Sequence, residues 1–247
     1  MRTRTGILLA ATLVILLPAA ARADALTPRQ SIGQGNFTLG LNVRHYESDY
    51  RLTESNAFTV ASWNGTYKGL QKRDVTMLRG SFGLFDRVDV FGGVGVGRED
   101  GIAVTRTTGA HAEKQSGAGN FALEGGLKGT LLRFAGQGHL AGLIKVEYWE
   151  TGENYHSYDN ARVTWRTMDA ELEVGYAFGG ITPYLGGSFA EMRAEQRYAN
   201  SRSELKNNKR WGTFIGFSTE VTDSFSFGGE GTFGSREGFS LNASYEF

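Results

Sequence analysis

The chain of 247 residues contains no cysteine, which excludes a disulfide framework and any thiolate metal site. Proline is nearly absent too, with 3 residues against 35 glycines. Without a Gly-X-Y period or proline enrichment, this composition is neither collagen-like nor low-complexity. The formal net charge is zero, so the bias that would point to nucleic acid is missing. The 4 histidines are scattered, and none sits at a metal-ligand spacing from another histidine or a carboxylate. No metal and no cofactor is therefore expected. Beyond the N-terminal region there is no apolar run of about 18 residues and no helical period, so no transmembrane helix is expected there.

The N-terminus carries the pattern of a secretory signal. Arg2 and Arg4 precede the apolar run Gly6–Leu17, Pro18 breaks it, and Ala21-Arg22-Ala23 and Ala23-Asp24-Ala25 both fit small-residue cleavage sites. Residues 1–23 are read as a cleaved signal peptide, with the boundary between 23 and 25, and residues 24–247 as one domain. Cleavage after Ala23 leaves 23 basic and 26 acidic residues, a weakly acidic mature chain.

What the mature chain does have is alternation. In Gly238–Phe247 every second residue is large or apolar (Phe239, Leu241, Ala243, Tyr245, Phe247) and the residues between are polar. Period two makes a strand with one greasy and one wet face. Nine earlier segments alternate in the same way, beginning with Phe37–Arg44 and including Leu78–Leu84, Val88–Val96 and Met168–Phe178. Their connections run long and short in turn. The long ones are about 47–72, 98–119, 151–162 and the charged stretch 193–210, and the short ones include Phe85–Arg87, Gly179–Gly180 and Thr222–Asp223. Short turns at one rim and longer loops at the other, joined by membrane-length strands, describe a transmembrane barrel. The expected fold is all-β, an antiparallel up-and-down transmembrane β-barrel of ten strands, with eight as the alternative count. Aromatics near strand ends (Tyr148, Trp165, Trp211, Tyr176, Phe178, Phe225, Phe247) are read as interfacial girdles.

In such a barrel the polar faces line the interior. They carry Arg44, Arg79, Lys128 and Lys145 against Asp89, Glu124, Glu147, Asp169, Glu171, Glu173, Glu220, Glu230 and Glu246. Buried charges must pair or hydrate. Two readings follow: a salt-bridged plug, favoured because a barrel of about eight strands has room only for side chains, and a narrow cation-leaning conduit.

Chemistry is weakly represented. Glu153, His156, Ser157 and Asp159 bring a histidine, carboxylates and a hydroxyl into one loop, which is the material of a membrane-embedded hydrolase. In a polar loop the same residues make an ordinary solvated surface, so no catalytic residue is assigned and no enzyme is expected. Gly92–Gly97 lies inside a strand with no helix after it, and fails the context of a nucleotide loop. The cations of 193–210 suit contact with lipopolysaccharide phosphates at the outer rim.

With its signal peptide, alternating segments, loop asymmetry and terminal aromatic strand, the chain resembles the small outer-membrane β-barrel superfamily of OmpA, OmpX and opacity-protein type. The resemblance implies a multi-pass protein of the bacterial outer membrane. It also implies that Tyr245 and Phe247 are the signal read by the barrel-assembly machinery. The implied partners are outer-membrane lipid, lipopolysaccharide and an unknown extracellular ligand, and no nucleic acid. Three functions remain: a structural or surface-binding protein acting through its long loops, a narrow pore, and, third, a hydrolase.

Overall fold

The computed structural model describes residues 27–56, 67–106, 112–134, 136–155, 158–198 and 201–247. The expected signal peptide lies outside them. Eleven strands form one sheet: β1 (Phe37–Asn56), β2 (Tyr67–Phe85), β3 (Val88–Arg106), β4 (Ala112–Phe134), β5 (Gly138–Tyr155), β6 (Tyr158–Tyr176), β7 (Ile181–Tyr198), β8 (Ser201–Asn207), β9 (Trp211–Thr222), β10 (Phe225–Phe233) and β11 (Glu237–Glu246). Ten of them close a barrel. β1 to β7 pair in sequence, β7 pairs β9, β9 pairs β10, β10 pairs β11, and β11 returns to β1, every pair antiparallel. The closing seam registers Thr38 with Glu246 and Glu47 with Glu237. Closure leaves neither β1 nor β11 with an open edge at this level.

The turns join strands by the shortest routes. At the β6–β7 turn Phe178 and Ile181 exchange backbone hydrogen bonds across Gly179–Gly180. Both glycines have positive φ, +55° and +90°, which a two-residue hairpin of this hand requires.

The outward faces are apolar over a continuous band. Leu41 on β1, Leu127 on β4, Leu172 on β6, Ile215 on β9 and Leu241 on β11 are all exposed. On β6 and the turn after it the band runs from Met168 to Phe178. Ten residues of rise at ~3.4 Å, tilted ~40°, span about 26 Å, the height of a hydrocarbon core. Aromatic pairs border it at the turn rim, where Phe37 meets Phe247 at 5.7 Å and Tyr176 meets Phe178 at 4.7 Å. At the other rim Phe189 meets Trp211 at 5.1 Å. A soluble barrel would bury such a band inside. Apolar outside and charged inside, this is a transmembrane barrel of the outer membrane, with the turn rim periplasmic by the rule for that class.

Three expectations change. Trp165 is no girdle residue: it points inward and is 1% exposed. The long polar stretches are largely strand, because β1 to β7 continue past the band, where the sequence no longer alternates in hydropathy. The stretch 193–210 holds the end of β7 and all of β8, a strand absent from the sequence reading.

β8 changes the barrel's girth. β7 pairs β9 through Phe189–Trp211 and then pairs β8 from Arg193–Lys206. β1 pairs β11 through Glu47–Glu237 and then pairs β8 from Tyr50–Asn207. Above the membrane, β8 thus stands in for β9, β10 and β11, and a ten-strand belt continues as an eight-strand tower. Asn207 pins the exchange: its amide donates to Ala190 O at 2.7 Å and Lys209 O at 2.8 Å, and its Oδ1 accepts from Met192 N at 3.1 Å. Where the three short strands end, the belt protrudes beyond the tower as a shoulder.

Candidate functional site: the barrel lumen

Period two places the polar face of every spanning strand in one narrow interior. There the structure brings together the charged residues expected from the sequence. Arg44 donates to Glu147 at 2.8 Å and to Glu124 at 3.1 Å, and Arg79 Nε donates to Glu124 at 2.5 Å. Lys145 lies 3.3 Å from Asp169 and 3.6 Å from Glu147. Lys128 lies 3.6 Å from Asp89. The carboxylates of Glu124, Glu173 and Asp89 are wholly shielded from solvent. Charges so buried are tolerable only when paired, and each of these carboxylates faces at least one cation. Glu246 stays half-open at the turn rim, and Glu220 is partly buried beside it on β9.

Three further cations, outside the ten segments read from the sequence, join this network. Arg73, in the upper part of β2, donates to Glu147 and lies over the Trp149 ring. Arg236, in the β10–β11 connection, reaches across the lumen to Asp169. Arg29 comes from the segment before β1. Four inward cations against nine acids thus become seven against nine.

That segment is a strap across the turn rim. Thr27 donates to Glu173 on β6. Arg29 donates to Glu171 at 2.5 Å, Glu173 at 3.2 Å and Glu230 at 2.7 Å, with its guanidinium 3.8 Å from the Phe214 ring centroid. Ser31 Oγ donates to Asp89 Oδ1 at 2.6 Å, and Ile32 N donates to Asp89 Oδ2 at 2.9 Å. Gly35 N donates to Gly83 O at 2.9 Å. Gly83 faces the strap so closely that a Cβ there would lie 1.7 Å from Gly33 O. His139 is buried on β5 with Nε2 3.2 Å from Glu173.

The opposite end of the lumen is apolar. Val75, Met77, Ala122, Trp149, Trp165, Met192 and Ala194 form one buried cluster, in which Trp149 and Trp165 stack at 5.5 Å and 8°. It lies at the level where the outward faces turn charged (Asp74, Glu150, Arg166), and it caps the ion pairs beneath the eight-strand tower. An eight-strand interior is just wide enough for side chains to fill.

The interior is not filled evenly. The ion pairs and strap are densest over β2 to β7, with Arg44 joining from β1 and Glu230 from β10. Along β10, β11 and β1 small polar residues are interspersed with Arg44, Tyr46 and Glu230, and two adjoining polar cavities of about 90 and 40 Å³ lie there. The larger lies against Asn42, Lys128, Ser226 and Ser244 behind the strap. The smaller lies above it, against Arg29, Tyr46, Lys145 and Ser240. Asn42 lines both, and its buried Oδ1 has no protein donor among the described residues.

No group of three or more metal-ligating side chains is found among the described residues. The side chains of Glu153, His156, Ser157 and Asp159 lie outside the described residues, as do those of Arg197 and Arg202 in the 193–210 stretch. Within that stretch Arg193 pairs with Glu191 at 2.5 Å, Lys206 with Glu204 at 3.6 Å and Lys209 with Asp49 at 3.6 Å.

No protein-family description matches the chain, and no curated protein matches its sequence. Solved structures to which it is similar include an outer membrane channel from Pseudomonas putida, at 12% identity over 90% of this chain and 98% of that one, with a TM-score of 0.40. They also include the translocator domain of the autotransporter NalP from Neisseria meningitidis, at 11% identity over 87% and 88%, TM-score 0.42. A third is the beta domain of the Bordetella autotransporter BrkA, at 14% identity over 87% and 99%, TM-score 0.40. All three are bacterial β-barrel chains; the ten-strand closure of the present chain rests on its own strand pairings.

Proposed function

We propose that this protein is a resting-closed outer-membrane barrel that serves as a non-enzymatic structural or surface-binding protein, presenting its eight-strand tower outside the cell. The observation that carries this reading is obstruction of the lumen at three successive levels: the strap tied by Arg29, the ion network centred on Arg44 and Glu147, and the stacked indoles of Trp149 and Trp165. A standing pore would need a continuous aqueous path, and each level places buried side chains across it. The wall of the tower, rich in charge and joined by backbone pairing, offers a broad surface for a ligand outside the cell.

Pure protein reconstituted in planar bilayers tests the closed reading. The expected record is a flat baseline over a wide voltage range. Stable single-channel steps from the unaltered barrel would refute it and favour the narrow pore.

A further inference from the structure

The larger polar cavity, the small residues of the closing seam and the shoulder lie on one side of the barrel; the smaller cavity continues from them into the edge of the ion network at Arg44 and Glu230, and together they carry a second activity. The geometry points to a latent ion passage that climbs the β10–β11–β1 wall from the periplasmic rim to the shoulder, latched at its outer end by Arg236. The eight-strand tower covers only part of the ten-strand belt. Over β9, β10 and β11 the belt ends in the hairpin connection Gly234–Arg236 and in the tops of the strands themselves. A path along this wall therefore never meets the indole lid, which stands under the tower.

The lining suits water and small ions. Asn42, Ser226, Ser240 and Ser244 supply hydroxyls and amides, and Asn42 Oδ1 needs a donor that the protein does not provide among the described residues. A buried polar atom in a polar cavity of this size is satisfied by water. The lower end passes beside the strap at Pro28. The upper cavity ends at Tyr46 and Lys145. Arg236 lines neither cavity but packs on the Tyr46 that lines the upper one, with its guanidinium 5.5 Å from the ring and hydrogen-bonded to Asp169. Its side chain is 14% exposed, so it stands between the buried passage and the outer surface. Asp169 also lies 3.3 Å from Lys145, so it keeps a cation when Arg236 is removed. Removing the latch thus leaves Asp169 one cation, which it shares with Glu147, whereas Arg29 holds three carboxylates at once.

The absence of native cysteine provides the test. Bilayer recordings compare the unaltered barrel, R236A and R236C, each shown to be folded by its heat-modifiable migration on gels. R236A is expected to conduct small ions where the unaltered barrel does not. R236C should conduct likewise, close when a cationic aminoethyl thiol reagent restores a positive charge at the shoulder, and stay open with an anionic sulfonatoethyl reagent. W149A, which opens the tower axis, should leave the baseline flat. A folded R236A that does not conduct overturns the passage, and so does conduction in W149A alone. If R236A does not insert, R236Q, which keeps part of the stem, carries the same comparison. Conduction by the unaltered barrel would count against the resting-closed reading, whereas silent R236A and R236C beside a silent parent would count against the passage alone.

Discussion

Replacing Arg29 with methionine tests how the strap is held. The guanidinium is almost fully buried and hydrogen-bonds three carboxylates, Glu171, Glu173 and Glu230, whose side chains are themselves at least 85% shielded. Methionine keeps much of the volume and the contact with Phe214 but removes the charge. Three like charges then face one another in a space closed to bulk water. Breaking a buried pair in this way costs ~3–5 kcal/mol, because the penalty is that of the carboxylates left behind. At a urea slope of ~2–3 kcal/mol per molar, the unfolding midpoint in detergent or liposomes should fall by about 1–2.5 M with the slope unchanged. R29K should fall between, since one ammonium cannot span three carboxylates as a planar fork does. The decisive comparison places R29M in a background where all three glutamates are glutamine. There the methionine should cost little, because no charge is left unpaired, and the difference between backgrounds is the coupling energy. A loss below ~1 kcal/mol for R29M alone, or an equal loss in both backgrounds, would refute the argument that Arg29 is held by those carboxylates.

The way Arg29 was missed shows what the sequence carries and where its signal ends. Within the membrane band hydropathy alternates, so the inward positions of Arg44, Asp89, Lys145 and Asp169 follow from parity alone. Above the band the parity persists but its contrast vanishes. Met77, Val75 and Arg73 continue the inward register of Arg79, yet two are apolar and the residues between them are polar, so the faces look exchanged. Trp165 is misread for the same reason: an indole near a strand end looks interfacial unless its parity is followed back to Asp169. β8, Ser201–Asn207, alternates serine, charge and leucine and has no apolar face facing lipid, so it reads as loop. Arg29 and Arg236 sit in segments with no period at all. One signal was available for both. Nine inward acids against four cations cannot be buried together, so the missing cations had to come from the leader and the connections. The ten-to-eight exchange of strands was not available, since it depends on β8 pairing β1 across some 150 residues of chain.

Two further perturbations separate the strap from the wall. G83V should expel the strap, because the new side chain would occupy the position of Gly33 O, while leaving the lipid-facing side of β2 unchanged; proteolysis from the periplasmic side should then cleave within residues 27–35 of a barrel that still migrates as folded. Protection equal to that of the unaltered protein would mean the strap does not pack on β2 as described. F247D addresses the closing strand. Phe247 N donates to Phe37 O at 3.0 Å, and its ring meets Phe37 at 5.7 Å and Tyr245 at 4.9 Å, so it ties the last residue of the sheet to the first at the turn rim. The residue is outside the lumen network, and its backbone hydrogen bond survives substitution. A carboxylate at this outward position near the membrane edge costs only ~0–1 kcal/mol, too little to unfold a completed barrel. If Tyr245 and Phe247 are what the assembly machinery recognises, the variant should nonetheless be depleted several-fold from the outer membrane while the protein that does insert keeps its urea midpoint. Normal levels of F247D in the outer membrane would remove the assembly role from this residue and leave it a girdle aromatic like Phe37.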